Sequence, residues 1–188
     1  MGENGVLIFD GARQHASMDD MKQRLCDDLA SAFPELVRCF QHDLYSGLRR
    51  MNSHADAEDL IQETFIRAYR ALEKYPSARI LDLRLRGWIW TIALNLGRNF
   101  ARDRSRRPTP VELFDRHGSD DPDPVDFDMW NRLLGTLSDR QRRAVVLRHV
   151  VGLNYHELAD ALGTPAGTAK SDVSRGLAKL RLVIEEQA

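Results

Sequence analysis

The chain has 188 residues, enough for one medium domain or two small ones, and 43% hydrophobic residues support packed cores. A charged fraction of 29%, few aromatics and almost no strand signals favour an all-α fold. Two cysteines exclude a disulfide framework, no apolar run is long enough to span a bilayer, and a formal net charge of −1 excludes a uniformly basic surface, so a reduced, cytoplasmic chain without membrane insertion is expected.

Residues 1–17 show no periodicity and read as a flexible leader. A helical pattern starts at Met18, with Leu25, Leu29 and Ala32 on one face. Pro34 marks the start of a second helix, carried by Leu36, Val37, Phe40, Leu44 and Leu48 to about Met51. Cys26, Cys39 and His42 lack a fourth partner and a CxxC spacing, so no metal site is expected. Asp56 to Tyr75 follows as an amphipathic helix. Ala57, Leu60, Ile61, Thr64, Phe65, Ala68 and Leu72 form its apolar stripe. Its other face collects Asp59, Gln62, Glu63, Ile66 and Arg70, acids around an exposed aliphatic, which suits either plain solvation or docking to a basic partner.

Pro76 stops that helix, and residues 77–83 read as a loop. The next helix buries Ile89, Ile92, Ala93, Leu96 and Phe100. It leaves Trp88, Thr91, Asn95, Arg98 and Arg102 on another side, continued by Arg104, Arg106 and Arg107. Aromatic, amide and guanidinium groups in a row suit phosphates and unstacked bases. Residues 108–124 then hold four prolines and a run of aspartates without periodicity, the pattern of a flexible acidic linker between two helical domains.

The last stretch, from Ser138 to Leu182, carries the clearest local chemistry. Ser138 with Gln141, and Asn154 with Glu157, have capping-box spacing. Tyr155, Leu158, Ala159 and Leu162 make one face of a short helix that Gly163 ends. Thr164 is placed to cap the next helix and Pro165 fits its first turn; Ala166, Ala169, Val173, Leu177 and Leu180 form its inward stripe. Thr168, Lys170, Ser171, Ser174 and Arg175 remain outside, as in a DNA-reading helix-turn-helix. GTPAGTAKS fails as a phosphate loop because Lys170 does not directly follow its second glycine. HELAD fails as a zinc-protease motif because Asp160 replaces the second histidine.

Together, DAEDLIQETFIRAYR, WIWTIALNLGRNFARDRSRR and LSDRQRRAVVLRHVVGLNYHELADALGTPAGTAKS resemble, in order, the motifs of bacterial sigma factors of the extracytoplasmic-function (ECF) group. The resemblance implies an all-α chain of two small helical domains, the second with a helix-turn-helix. The expected divisions are a leader (1–17), a sigma-2-like domain (18–107), a linker (108–126) and a sigma-4-like domain (127–188). It implies a transcription initiation factor with RNA polymerase core, promoter DNA and an anti-sigma protein as partners, no cofactor and no catalytic residue. On that resemblance Asp59, Gln62, Glu63 and Ile66 meet polymerase. Trp88, Asn95, Arg98, Asn99, Arg102 and Arg106 serve the −10 element, and Thr168, Lys170, Ser171, Ser174 and Arg175 the −35 element. Asp172 stands where the family usually has a basic residue, and Gly176 and Ala178 thin the basic end of the same helix, so weak −35 electrostatics are expected. A conventional helix-turn-helix regulator is the alternative; it would bind duplex as a dimer and leave the acidic helix face without a task.

Overall fold

The computed structural model describes residues 11–52, 54–104 and 124–186, and all secondary structure among them is helical. The first group of elements is α1 (Gly11–Asp27), α2 (Leu29–Arg49), α3 (His54–Leu72), the short α4 (Ser77–Asp82) and α5 (Leu85–Arg104). The second is α6 (Pro124–Gly135), α7 (Asp139–Val145), a π-helical turn (Val146–Val150), α8 (Tyr155–Leu162) and α9 (Ala166–Glu185). No helix among the described residues is long and apolar enough to cross a membrane.

Local starts differ from the expected ones in four places. The helix α1 begins at Gly11, ahead of Met18, while residues 1–10 lie outside the described ones. Pro34 does not open α2 but sits inside it. The helix starts earlier because the Asp28 carboxylate caps it, accepting from the Ser31 amide at 3.1 Å. The Ser31 side chain first, and that amide hydrogen bond second, hold the Asp28 carboxyl below the ordinary carboxylate range. Residues 77–82, expected as a loop, form α4 because Ile80 is buried and the end of the helix is tied to α1, where Lys22 Nζ donates to the Leu81 carbonyl at 2.9 Å. Further on, α6 starts at Pro124, within the expected linker, where a first-turn proline loses no helical hydrogen bond; residues 105–123 lie outside the described ones.

The amphipathic stripes pack as their periods dictate. Leu25, Leu36, Phe40, Leu44 and Leu48 from α1 and α2 meet Ala57, Leu60, Phe65 and Leu72 of α3 and Ile89, Ala93 and Leu96 of α5. This core does not stop at the domain boundary. It runs on into Ala144, Leu147, Val151, Leu153, Leu158, Ala161, Ala169 and Val173 of the second group. The joint is close at Gly47, where a Cβ would lie 2.5 Å from Trp90 Cη2 and 2.9 Å from Val151 Cγ2. A smaller core of Leu133, Leu134, Leu137, Val145, Val146 and Leu180 ties α6 to α7 and α9.

Candidate nucleic-acid interface

The acidic face of α3 forms as its spacing requires, opposite buried Ala57, Leu60, Phe65 and Ala68. Asp59, Gln62 and Ile66 are exposed, Glu63 is half-buried, and with Arg67 they line a shallow depression. Glu63 is tied by Arg67, whose Nε lies 2.7 Å from Glu63 Oε1 one turn on. Ile66 keeps 45% of its surface exposed, a large aliphatic ringed by charge.

On α5, Asn95, Arg98 and Asn99 are exposed on one side, and Arg98 Nη2 donates to Asn95 Oδ1 at 2.6 Å. Trp88 is half-buried, its ring 6.2 Å from Tyr75, so it braces the junction with α3. The backbone of Arg102 continues α5; its side chain, and all of Arg106, lie outside the described residues.

The helix-turn-helix is built from local chemistry. Asn154 Oδ1 accepts from the amides of His156 and Glu157 at 2.9 and 3.0 Å, and Glu157 Oε2 in turn accepts from the Asn154 amide at 2.9 Å. Gly163 ends α8 at φ 64, the left-handed conformation that favours glycine. Thr164 does not cap α9: Pro165 holds the cap position, and the Thr164 hydroxyl is buried without a partner. Lys170, Ser171, Ser174 and Arg175 are exposed along α9 and Thr168 is half-buried. Ser171 Oγ donates to the Gly167 carbonyl at 2.9 Å. The inward stripe turns at its C-terminal half: Ala169, Val173, Gly176 and Leu180 face in, while Leu177 is 40% exposed. Asp172, one step off that stripe, is also buried, so it presents no carboxylate to a ligand of the exposed face.

One set of contacts had no counterpart in the pattern of either domain. α5 packs along α8, the first helix of the helix-turn-helix. Arg84 Nη1 meets Asp160 Oδ2 at 2.9 Å, Arg86 Nη2 donates to the Val151 carbonyl at 2.8 Å, and Thr91 Oγ1 donates to the Asp160 carbonyl at 3.1 Å. Gly87 makes the approach possible. Where α5 passes α7, Arg142 and Arg143 line a cleft with Asn52, Leu94 and Gly97. Burial lowers the Arg143 guanidinium from its ordinary value; Asp139 opposes this, and the charges of Arg98 and Arg142 add to it. The signal in the sequence was a second apolar pair, Trp90 and Leu94, flanking the main stripe of α5. Both are buried.

Comparison with known proteins places this arrangement in a class. Residues 36–107 match Sigma-70 region 2 and residues 127–180 match Sigma-70, region 4. The chain belongs to the sigma-70 family, in its ECF group. It is 33% identical to the ECF RNA polymerase sigma factor SigE of Mycolicibacterium smegmatis, over 94% of this chain and 66% of that one. To the ECF RNA polymerase sigma-E factor of Escherichia coli it is 30% identical, over 77% of this chain and 82% of that one. Among solved structures, it is similar to the sigma factor RpoE of Bartonella quintana in complex with the anti-sigma factor NepR. The TM-score there is 0.68 and the identity 26%, over 81% of this chain and 96% of that one. The fold is also that of CnrH in complex with the cytosolic domain of CnrY, with a TM-score of 0.70 and 22% identity over 90% and 98% of the two chains.

Proposed function

We propose that this chain is a transcription initiation factor that binds core RNA polymerase and directs it to promoters by reading −10 and −35 elements. The observation that carries the reading is the pairing of regions 2 and 4 in one chain, in that order. The surfaces agree with it in kind. The face of Asp59, Gln62, Glu63 and Ile66 suits basic groups of polymerase around an apolar contact. Asn95, Arg98 and Asn99 suit the −10 strand, where a base leaves the stack at a cost of roughly a few kcal/mol. Lys170, Ser171, Ser174 and Arg175 suit a major groove at −35, with Thr168 at the start of the same helix. The chain supplies recognition and polymerase supplies the bond chemistry, so the factor acts in the cytoplasm without a catalytic group of its own. An anti-sigma protein is the fitting inhibitor, since a solved relative is held by one.

The packed arrangement cannot address both elements at once. Elements centred about 25 base pairs apart lie ~85 Å apart at ~3.4 Å per pair. α8 packs on both α5 and α9, and two helix-packing distances amount to about 20 Å. Promoter engagement therefore requires the α5–α8 contact to open, with core polymerase holding the domains at the longer spacing.

Run-off transcription with core polymerase on a genomic promoter library, with and without the chain, tests the function. Discrete chain-dependent start sites sharing two spaced elements are expected. No chain-dependent transcript, with tight binding of duplex by the free chain, would establish the conventional regulator instead.

A further inference from the structure

We propose that Asp172 is a positioning residue of the −35 surface, clamping Arg175 and Arg140 side by side, and that Arg140 is a further contact to the promoter backbone. This rests on the −35 reading above and goes beyond it in naming a device on two helices. Asp172 is 3% exposed although it lies on the recognition helix between exposed Ser171 and Ser174. A carboxylate so placed must be paired, because burial of a lone charge is strongly unfavourable. It has two partners. Arg140 Nε of α7 lies 2.5 Å from Asp172 Oδ2, and Arg175 Nη2, one turn along α9, lies 3.3 Å from Oδ1.

The clamp depends on a close helix crossing. A Cβ on Gly176 would lie 2.6 Å from Val145 Cγ2 and 3.5 Å from both the Cβ and the carbonyl oxygen of Gln141, the neighbour of Arg140. A side chain at 176 would require Val145 of α7 to give way, in the crossing that brings Arg140 to Asp172. The two unusual residues of this helix, Asp172 and Gly176, are thus parts of one arrangement.

Its consequence for DNA follows from donor geometry. A guanidinium has five N–H donors in a rigid fork, and each arginine uses one on Asp172. The arginine side chains remain 56% and 65% exposed, so the rest of each fork is open to solvent. Two guanidinium charges and one buried carboxylate leave a net single positive charge at the mouth of the recognition helix. Held in place before binding, the forks lose less side-chain freedom when they meet phosphate or a base edge. Arg175, on the recognition helix, is placed for a base edge; Arg140, from the neighbouring helix, is placed for the backbone.

The test uses holoenzyme assembled from core polymerase and the full chain, on a promoter obtained by run-off selection. Binding is measured across a salt series and on a panel of single −35 substitutions. Arg140→Gln should lower the slope of log affinity against log salt by about 0.9, the value of one backbone phosphate, equally for every −35 sequence. Asp172→Asn should keep the slope and relax discrimination at one −35 base pair by about threefold or more, out of the roughly 5- to 150-fold that a good arginine–base contact confers. A general loss of folding would weaken all sequences alike. If Asp172→Asn misfolds, the exposed Arg140 variant still decides the matter through its slope. An unchanged slope in Arg140→Gln, or full discrimination in a folded Asp172→Asn, overturns the clamp while leaving the sigma function standing. A wild-type chain that directs no promoter-specific transcription overturns the function itself, and the clamp with it.

Discussion

Gly87→Leu should force the two halves of the molecule apart. A Cβ at this position would lie 3.0 Å from the Glu157 carbonyl oxygen, 3.1 Å from Glu157 Cα and 3.4 Å from Asp160 Cβ, all three on α8. The obstruction is therefore between domains, and the core of the first domain is not its target. Leucine adds three carbons beyond that Cβ, an overpacking that costs about 1–3 kcal/mol when neighbours are fixed. Here the neighbours yield by separation. The gain in helix propensity on removing glycine, about 1 kcal/mol, is shared by packed and separated states and cancels. The exposed Arg84–Asp160 pair, at 59% and 44% exposure, contributes little to the contact, so Arg84→Ala serves as a mild control. The packed-to-separated ratio should fall roughly 5- to 150-fold. Because core polymerase takes the separated form, its apparent affinity should tighten by up to that factor, levelling off once the separated form dominates. Small-angle scattering of the free chain should show a larger radius of gyration, and anisotropy titration with core polymerase should show the tighter binding. An unchanged radius with unchanged or weaker core binding, in a variant of normal helicity, would refute the reasoning.

Three further outcomes are expected. Asp59→Lys with Glu63→Lys should weaken core binding about tenfold or more by placing like charges together, with the circular dichroism spectrum preserved. Arg98→Ala should slow promoter opening several-fold on duplex and have little effect on a template already melted at −10, which a stopped-flow assay would distinguish. Burial, and secondly the charge of Arg148, push the His149 imidazole below its ordinary value. Between that lowered midpoint and about 6.5, the unfolded chain binds more protons than the folded one, so stability falls as pH drops through this window and is flat above it. An NMR titration should place the His149 midpoint below 6.5, and His149→Gln should remove the corresponding slope from a pH series of melts.

Features set by neighbours along the chain were legible in advance. The Asn154–Glu157 box, the Ser138–Gln141 box and the Gly163 stop depend on groups within four residues, and all three formed. The acidic face of α3 was equally readable, because one helical period fixes which residues share a side. The inward placement of Asp172 was not. Its partner Arg140 is 32 residues away, and a charged residue beside a stripe looks the same whether it is solvated or clamped. Leu177 was misplaced for a related reason. The close crossing at Gly176 turns the buried line of α9, and glycine carries no hydropathy signal to announce it. The packing of α5 on α8 was hinted at only by Trp90 and Leu94 beside the main stripe, because the polar links around that contact span 65 to 76 residues.

The core shared between the halves also gives the molecule a history during its synthesis. Thr91 precedes its partner Asp160 by 69 residues. At about 5–20 residues per second, roughly 3–14 s pass between the appearance of one and of the other at the ribosome. For most of that interval Val151, which lies with Trp90 over Gly47, has yet to appear, and the buried Trp90 and Leu94 lack the second half of their core. The first domain is then born with an apolar seam open, and whatever reaches it before the second domain emerges meets a surface that the finished chain conceals.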